Sequence, residues 1–451
     1  MGKKLFGTDG IRAVAGEFPL DPRTIQALGQ ALVRVLRANG LQPAVVIGRD
    51  TRESGPWMER SFVQGFSSRG GTAVSAGVIP TSAISLLTAK RGFAAGVVLS
   101  ASHNPFQDNG IKIFAPAGIK IPDEWETVLE EDVLTSGHES PAGDGRAEEK
   151  QDLADEYVDY LKGRTRAGSA VGNLKIVLDC SNGASSTLAP RVFGELGYDV
   201  IVLHNTPDGR NINLGCGSLH PEKLAEKVVE SRASLGIAYD GDADRAVWVD
   251  EKGNILNGDH TLYVQSFHMM ENGRLPLKKV VATTMSNLGL EIALHRAGIE
   301  LARTKVGDKY VFEEMTRLGA NLGGERSGHT IFLDDMQTGD GILTSLKMLE
   351  VMNVKGRPLS ELTGGLYEFP QVLVNVRVAR KVPFDQLKDV LEAVKAVKVK
   401  LKDEGRVDLR YSGTEPVARI MVEARDWETV SAYAQEIAEA VKRNLGDKTS
   451  G

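Results

Sequence analysis

Three aspartates in the segment YDGDADR have the types and spacing of metal ligands. Asp240, Asp242 and Asp244 alternate with the small residues Gly241 and Ala243. Crowded carboxylates raise one another's pKa, so they are tolerated mainly around a cation, and small spacers let the backbone bend until they converge. A solvated acidic turn is the alternative interpretation. Metal binding is favoured because strand-like runs enter and leave the loop, and the all-oxygen donors indicate magnesium.

An EF-hand would place aspartates at the same spacing, and Glu251 does occupy the twelfth position counted from Asp240. However, Arg245 replaces the glycine that an EF-hand requires at its sixth position, and the flanking residues are typical of strands rather than helices. The sequence therefore excludes this calcium-binding motif.

The segment LSASHNPFQDNGIK, residues 99–112, is expected to form a loop and contains a candidate nucleophile. An apolar strand runs directly into Ser102 and His103. A turn that starts a helix is the alternative interpretation. A serine hydrolase is disfavoured, because the chain contains no G-x-S-x-G elbow and His103 is adjacent in sequence rather than placed across the site. Ser102 is thus a candidate phosphoryl carrier only in combination with other motifs.

The segment GGERSGH carries Glu325, Ser327 and His329 at alternating positions. A bent loop could present this carboxylate, hydroxyl and imidazole to a polyhydroxylated ligand. A glycine-rich surface turn is nearly as good an interpretation of the motif alone.

The segment RYSGTEPVARI combines two guanidinium groups with two hydroxyls and a turn glycine: Arg410, Ser412, Gly413, Thr414 and Arg419. Such a set favours a nest for a phosphate dianion. The alternative is an unliganded turn with two surface arginines.

The chain lacks the nucleotide cradles G-x-x-x-x-G-K-[ST] and G-x-G-x-x-G, which disfavours a kinase. A hydroxyl carrier, a divalent cation, a hydroxyl-binding loop and a separate phosphate site together suit a substrate that is both a sugar and a phosphate. The formal net charge of -6 argues against a nucleic-acid partner.

The composition is that of a folded globular protein, with 41% hydrophobic and 25% charged residues. Two cysteines, Cys180 and Cys216, are too few to staple 451 residues, so a reducing compartment is expected. No apolar run reaches the roughly 18 residues that span a bilayer, and the first residues lack the apolar stretch of a signal peptide. We therefore expect cytoplasmic residence and no membrane partner.

Alternating strand-like and helix-like segments must position these loops. Asp21 and Pro22 predict the start of a helix that closes at Gly40, and strands are predicted at 44–50, 72–79, 94–101, 175–180, 199–204, 235–240, 246–250 and 279–285. The polar stretch 136–150 is expected to be a loop. These patterns predict α/β domains at 1–150, 151–257 and 258–366, and a small α+β domain at 367–451.

Taken in order, SASHNP, DGDADR, GERSGH and RYSGTEP resemble the four active-site loops of the α-D-phosphohexomutase superfamily. FGTDGIR, NINLGCGSLHPE and TKVGDKYV resemble its aminosugar branch. The resemblance covers the whole chain. It implies three related α/β domains with mixed sheets plus a smaller C-terminal α+β domain around a central cleft.

The resemblance also implies residue roles. Ser102 would carry the phosphoryl group and bind Mg²⁺ with Asp240, Asp242 and Asp244, while Glu325 and Ser327 would hold sugar hydroxyls. The non-reacting phosphate would be held by Arg410, Ser412, Gly413, Thr414 and Arg419. The transfer site would be lined by Arg12, His103, Lys112, Arg245 and His329, with Lys112 and His329 as candidates for proton transfer.

The implied reaction interconverts glucosamine 6-phosphate and glucosamine 1-phosphate through a phosphoserine and a 1,6-bisphosphate. The alternatives are a mutase for glucose or mannose phosphates, a haloacid-dehalogenase-like phosphatase with Asp240 as its nucleophile, and a non-catalytic sugar-phosphate sensor. The partners would be the hexose phosphate and its 1,6-bisphosphate; the oligomeric state is left open, a homodimer included.

Three positions depart from the pattern of the superfamily: Ala243 replaces glycine, Arg326 replaces glutamine and Tyr411 replaces lysine or proline. The first is expected to be mild unless residue 243 needs positive φ. The other two bear on the preferred sugar. Because side chains alternate along an extended loop, Arg326 is expected to point away from a sugar held by its neighbours.

Overall fold

The structure is a computed structural model, and it describes residues 5–7, 9–135, 145–150, 152–164, 174–402, 404–412 and 416–446. Within these ranges, we find no helix with the length and apolar character needed to cross a bilayer.

The N-terminal part of the chain alternates strands with helices. The elements are β1 (Ile11–Val14), α1 (Pro22–Ala38), β2 (Ala44–Arg49), α2 (Gly55–Ser68), β3 (Thr72–Val78), α3 (Thr81–Arg91), β4 (Ala95–Leu99), β5 (Asp108–Phe114), α4 (Asp123–Thr135), β6 (Glu148–Glu149) and α5 (Asp152–Lys162). The strands form one mixed sheet in the order β1-β5-β4-β2-β3-β6. As predicted, Asp21 caps α1, accepting from the amides of Arg23 and Thr24.

Two loop predictions in this part were wrong. Residues 148–149 of the expected 136–150 loop form β6, which pairs in parallel with β3; residues 136–144 lie outside the described ranges. Edge strands need no apolar side chains, so the charged sequence hid this pairing. The expected loop 99–112 ends early, because β5 begins at Asp108, and Lys112 therefore lies on a strand.

A second sheet follows, with the order β11-β10-β9-β7-β8. Its elements are β7 (Lys175–Asp179), α6 (Ser185–Glu195), β8 (Asp199–Leu203), α7 (Glu222–Ser231), β9 (Leu235–Tyr239), β10 (Ala246–Asp250) and β11 (Ile255–Leu256). β7 runs parallel to β8 and β9, whereas β10 is antiparallel to β9, so the metal-ligand motif occupies the hairpin between β9 and β10.

The next region contains α8 (Gly258–Glu271), β12 (Lys279–Thr283), α9 (Leu288–Arg296), β13 (Glu300–Thr304), α10 (Asp308–Leu318), β14 (Leu322–Gly324), β15 (Thr330–Phe332), α11 (Gly341–Lys355) and α12 (Leu359–Leu362). Its sheet has the order β13-β12-β14-β15. The GGERSGH segment connects the antiparallel strands β14 and β15.

The C-terminal region is α+β, as predicted. It contains β16 (Gln371–Arg377), α13 (Lys388–Leu401), β17 (Arg406–Tyr411), β18 (Val417–Glu423) and α14 (Trp427–Leu445), and the antiparallel sheet has the order β16-β18-β17. The apolar faces of both helices and of the sheet form one core that includes Val397, Ile420 and Ile437.

The chain divides into two compact units. The first comprises residues 1–283 and 302–364, and the second comprises residues 284–301 and 365–451. In the second unit, Asn287 precedes α9 and exchanges two hydrogen bonds of 2.9 Å with the backbone of Phe369.

One apolar core in the first unit joins the first two sheets to α11. It includes Val98 of β4, Tyr239 of β9 and Leu346 of α11, all at most 3% exposed. Because the loops after β4 and β9 both leave this core, their positions are fixed relative to each other.

Candidate active site

The loop after β4 brings Ser102 to the loop after β9. The Ser102 hydroxyl donates a 2.5 Å hydrogen bond to Asp240 Oδ2, and His103 Nδ1 lies 3.3 Å from the same Oγ. Ser102 has left-handed backbone, with φ of 53°, and is 1% exposed. A buried hydroxyl therefore faces a carboxylate that lies 138 residues further along the chain.

The three predicted metal ligands do converge. One oxygen from each of Asp240, Asp242 and Asp244 lies within 4.8 Å of the others, and all three side chains are buried. Thr81 anchors this loop, since its hydroxyl donates to Asp242 Oδ2 at 2.6 Å and its amide donates to the Asp242 carbonyl at 3.1 Å.

The electrostatics of this cluster match a cation site. Burial, and then the charges of Asp244 and Asp242, raise the pKa of Asp240 well above its ordinary value. Oδ1 of Asp242 and Oδ1 of Asp244 are buried and accept no hydrogen bond from the described residues. Unpaired buried carboxylate oxygens are costly, and a hard divalent cation satisfies them. The residues thus fit a metal ion of the magnesium class.

Lys112 contacts the same Asp242 oxygen as Thr81. Its Nζ is 2.8 Å from Asp242 Oδ2 and 3.1 Å from Asp9 Oδ2. Burial alone would lower the pKa of Lys112, but the charges of Asp242, Asp9 and Asp244 raise it well above its ordinary value. The lysine is therefore a buried cation within the carboxylate cluster that the Ser102 hydroxyl contacts through Asp240.

His103 is neutral at pH 7. Burial, followed by the positive charges of Arg245 and Arg12, lowers its pKa to about 4. A neutral imidazole close to Ser102 Oγ can accept a hydrogen bond from the serine hydroxyl. It can also donate one to an oxygen of a group attached to Oγ in place of the hydroxyl proton.

His329 approaches the cluster from the GGERSGH segment. Burial would lower its pKa, but Asp244, whose Oδ2 is 3.5 Å from Nδ1, raises it to about 9. The Gly339 amide points at Nε2 from 3.1 Å and favours the neutral ring. The full charge of the carboxylate outweighs this amide dipole, so the pKa of the ring stays above its ordinary value and Nδ1 carries a proton that faces Asp244.

Backbone pairing fixes this segment against the metal-ligand loop. Arg245 and His329 form an antiparallel bridge, and the Ala246 amide donates to the Gly328 carbonyl at 3.2 Å. Gly328 has φ of 100°, and a Cβ there would lie 2.5 Å from the Ala246 carbonyl oxygen. Only glycine permits this close approach.

The sugar-binding candidates in this segment differ in exposure. Glu325 is buried, and its Oε1 accepts from the Gly307 amide at 2.9 Å, whereas Ser327 is exposed. Arg326 places Nη1 3.2 Å from Asp259 Oδ2. Its guanidinium is therefore engaged by α8.

The two arginines of the fourth loop are directly opposed in the C-terminal sheet, since Arg410 of β17 is in register with Arg419 of β18. Their side chains share one sheet face, where opposed like charges are unfavourable, and Arg410 Nε lies 3.2 Å from Asp408 Oδ2, which offsets part of this charge. Ser412 is buried and its amide donates to the Val417 carbonyl at 2.8 Å. Gly413 and Thr414 lie outside the described residues.

Two of the departures noted in the sequence have structural consequences. Ala243 has a positive φ of 59°, so alanine in place of glycine is not a mild change here. Its methyl group costs roughly 1 kcal/mol in this backbone region. Tyr411 donates to the Val382 carbonyl at 2.6 Å and stacks on Phe384 with ring centroids 4.2 Å apart, so it packs locally.

Sequence reasoning missed part of the charged network. Asp9 accepts hydrogen bonds from Arg12 and Lys120, and Lys120 also donates to Asp308 at 2.7 Å. Asp9 belongs to FGTDGIR and Asp308 to TKVGDKYV, two segments that the sequence singled out without giving either aspartate a role. Thr81 carried no signal beyond its position at the start of α3.

Models of four domain families match the chain in order. Phosphoglucomutase/phosphomannomutase alpha/beta/alpha domain I matches residues 3–139, domain II matches 155–253, domain III matches 257–369, and the C-terminal domain matches 373–440.

Curated proteins and solved structures are similar over nearly the whole chain. The phosphoglucosamine mutases of Geotalea daltonii and Koribacter versatilis are each 47% identical, covering 100% and 98% of both chains respectively. The crystal structure of a phosphoglucomutase/phosphomannomutase family protein from Burkholderia thailandensis has a TM-score of 0.80 at 25% identity, over 98% of both chains. An Aspergillus fumigatus N-acetylphosphoglucosamine mutase, in complex with GlcNAc-6P and magnesium, shares the fold: its TM-score is 0.68 at 17% identity, over 98% of this chain and 96% of that one.

Proposed function

The chain belongs to the phosphoglucomutase/phosphomannomutase family, and on this premise we propose that it interconverts glucosamine 6-phosphate and glucosamine 1-phosphate. The names of its full-length relatives support the aminosugar over glucose or mannose phosphates. Small hexose phosphates and their 1,6-bisphosphates are its partners, and the cytoplasm is its compartment.

The 2.5 Å hydrogen bond between Ser102 Oγ and Asp240 Oδ2 carries this proposal. This bond brings the Ser102 hydroxyl, the nucleophile we propose, to the edge of a cluster of three carboxylates that fits a cation. In the active enzyme Ser102 carries the phosphoryl group, and Asp240, Asp242, Asp244 and the serine side chain hold Mg²⁺. The bound ion neutralises negative charge on the phosphoryl oxygens during transfer.

In the first half of the reaction, phosphoserine gives its phosphoryl group to the free hydroxyl of a hexose phosphate. The Ser102 Oγ–P bond breaks and a sugar O–P bond forms, while the sugar hydroxyl gives its proton to a base in the site and Ser102 Oγ takes one up. The product is a 1,6-bisphosphate. In the second half, the bisphosphate presents its original phosphate to Ser102: the original sugar O–P bond breaks, the Ser102 Oγ–P bond forms again, the serine loses its proton and the freed sugar oxygen gains one.

Cations around Ser102 stabilise the charge that is dispersed over the phosphoryl group in flight. Lys112, Arg245 and Arg12 supply this positive charge from fixed positions, which favours the transition state over the bound substrate. Lys112 and His329 are the groups we assign to proton transfer, and His103 is a hydrogen-bonding partner of the seryl oxygen.

The two remaining loops hold the substrate. Glu325 and Ser327 bind sugar hydroxyls, since a carboxylate and a hydroxyl together accept and donate hydrogen bonds. The opposed pair Arg410 and Arg419, with Ser412, Gly413 and Thr414, binds the phosphate that is not reacting. A site that accepts either phosphate is what the bisphosphate needs in order to reverse its orientation.

Product analysis tests the proposal. The purified protein is incubated with Mg²⁺ and the 6-phosphate of glucosamine, glucose or mannose, each with the matching 1,6-bisphosphate as activator, and kcat/KM is compared. We expect glucosamine 6-phosphate to be preferred. A preference for glucose or mannose above about tenfold, equivalent to about 1.4 kcal/mol, would make the aminosugar assignment wrong, and no turnover with any sugar would refute the mutase.

A further inference from the structure

Both backbone polar groups of Ser102 are held by buried side chains that do not belong to the proposed catalytic set. This matters because the left-handed φ of 53° is unfavourable for a residue with a side chain. Such a conformation persists only where the surroundings fix it. The side chains that form hydrogen bonds with the backbone of Ser102 therefore set the direction of its Oγ.

The amide of Ser102 is held by one branch of this network. It donates to Ser100 Oγ at 2.9 Å, and the Ser100 hydroxyl donates to Asp50 Oδ2 at 2.6 Å. Asp50 in turn pairs with Arg52, whose Nε lies 2.9 Å from the same oxygen, and both side chains are 0% exposed.

The carbonyl of Ser102 is held by the other branch. Arg52 Nη2 donates to the carbonyls of Ser102 at 3.1 Å and Asn104 at 2.8 Å, while Nη1 donates to those of Asp108 at 2.9 Å and Pro105. The serine loop is therefore wrapped around a single guanidinium group, and the planar fork of donors matches four carbonyls at once.

A residue from the second sheet region completes the arrangement. Asn213 Nδ2 donates to the same two carbonyls, at 2.9 Å to Ser102 and 3.1 Å to Asn104. Asn213 lies in the segment NINLGCGSLHPE, for which the proposed reaction gives no role. The carbonyl of the phosphoryl carrier thus receives hydrogen bonds from two sides.

Asn213 is itself rigidly held. Its φ is 58°, and its amide donates to the Ser181 carbonyl at 2.9 Å. Asp179, at the end of β7, fixes this turn by accepting from the amides of Ser181 at 2.9 Å and Gly217 at 3.0 Å. The side-chain amide of Asn213 therefore reaches the serine loop from a turn that is tied to the end of β7.

The same contact lies against the metal-ligand loop. A Cβ on Gly241 would lie 2.5 Å from the Ser102 carbonyl oxygen and 2.9 Å from Asn213 Nδ2. Gly241 separates Asp240 from Asp242. The metal-ligand loop therefore packs directly against the hydrogen bond between Asn213 and the Ser102 carbonyl, with no room for a larger residue at position 241.

We propose that Arg52 and Asn213 are positioning residues for phosphoryl transfer: together they hold the Ser102 carbonyl so that its Oγ stays directed at the carboxylate cluster. This inference rests on the proposed function. Neither side chain is assigned to the substrate, so loss of the clamp should lower kcat while KM stays near its wild-type value, as expected when the geometry of the reacting atoms is disturbed.

Asn213→Gly is the sharpest test, because glycine adopts positive φ freely and only the amide donor is lost. Arg232→Gly is the matched control: Arg232 also has positive φ, 52°, and is an exposed helix C-cap in the same sheet region. Arg52→Lys keeps the positive charge beside Asp50 but lacks the planar fork of donors. If this substitution of a buried arginine prevents folding, Asn213→Gly alone tests the proposal.

Steady-state kinetics with glucosamine 6-phosphate and intact-mass measurement of Ser102 phosphorylation by the 1,6-bisphosphate in a single turnover give the readouts. For Asn213→Gly we expect kcat and the single-turnover rate to fall between about tenfold and about a hundredfold, with KM changed by less than about twofold. Wild-type kcat in this variant, an equal loss in Arg232→Gly, or a change confined to KM would overturn the inference. An inactive wild-type enzyme would instead refute the proposed function and the inference with it.

Discussion

Lys112 Nζ lies 2.8 Å from Asp242 Oδ2, and neither side chain is more than 2% exposed. This buried ion pair joins β5 of the first sheet to the metal-ligand loop of the second. Removal of one partner from a buried pair leaves an uncompensated charge, at a typical cost of about 3–5 kcal/mol. Since the carboxylates also form the proposed Mg²⁺ site, the lysine and the ion share the task of neutralising them.

Lys112→Met should therefore make the metal-free protein less stable and more dependent on the ion. We expect a lower Tm than wild type in EDTA, a larger rise of Tm on adding Mg²⁺, and a loss of kcat of at least about a hundredfold because a proton-transfer candidate is gone. Differential scanning calorimetry measures both Tm values. Lys388→Met, at a position with an 87% exposed side chain, is the control, and equal Mg²⁺-induced shifts in all three proteins would contradict the shared neutralisation.

Ser102→Ala should abolish turnover and leave the fold intact, because it removes the phosphoryl acceptor without opening a large cavity. Intact-mass spectrometry should find one phosphate on wild type that survives acid and is missing from the variant. An acid-labile phosphate would indicate an acyl phosphate on Asp240, as in the alternative phosphatase. Near-wild-type turnover of the variant would make the carrier assignment wrong.

His329 should titrate abnormally in the metal-free protein. Its folded-state pKa is about 9, against an ordinary value of 6.5, so its stabilising contribution is full below pH 6.5 and is lost as the pH rises through about 9. In EDTA, Tm should fall between these pH values more steeply for wild type than for His329→Gln. Equal slopes would show that the pair with Asp244 adds no stability. With Mg²⁺, imidazole NMR signals should titrate at lower pH, because the ion compensates Asp244.

Arg326→Gln should leave sugar selection almost unchanged. The guanidinium pairs with Asp259 of α8, so a carboxylate already offsets its positive charge. We expect kcat/KM for glucosamine 6-phosphate, relative to glucose 6-phosphate, to stay within about twofold of wild type. A rise of the glucosamine preference by tenfold or more would mean that Arg326 repels the aminosugar in the wild-type enzyme.

The strands that carry the site were predictable because their apolar runs are nearly uninterrupted. The segments 94–101 and 235–240 were expected to be strands and form β4 and β9, and each runs into the residue that was singled out, Ser102 or Asp240. Buried strands have few alternatives to the sheet, so local composition suffices.

The partners of these residues were not predictable in the same way. Thr81 contacts Asp242 across 161 residues and Lys120 contacts Asp308 across 188, and nothing local distinguishes either residue from an ordinary helix start or surface lysine. Likewise, the positive φ of Ala243 is imposed by a tight turn between two strands, which overrides the preference of alanine. Such features depend on the packing of distant segments and become visible only in the folded chain.

The second compact unit is assembled from two separate stretches, residues 284–301 and 365–451. On the ribosome, α9 emerges well before the sheet region that contains Phe369, the residue whose backbone exchanges hydrogen bonds with Asn287. The packing of α9 into this unit must therefore wait until the intervening chain has been synthesised, so this unit is completed after the first one. A recombinant fragment that begins at residue 365 would also lack one of its own helices, and isolating the C-terminal unit requires grafting residues 284–301 onto it.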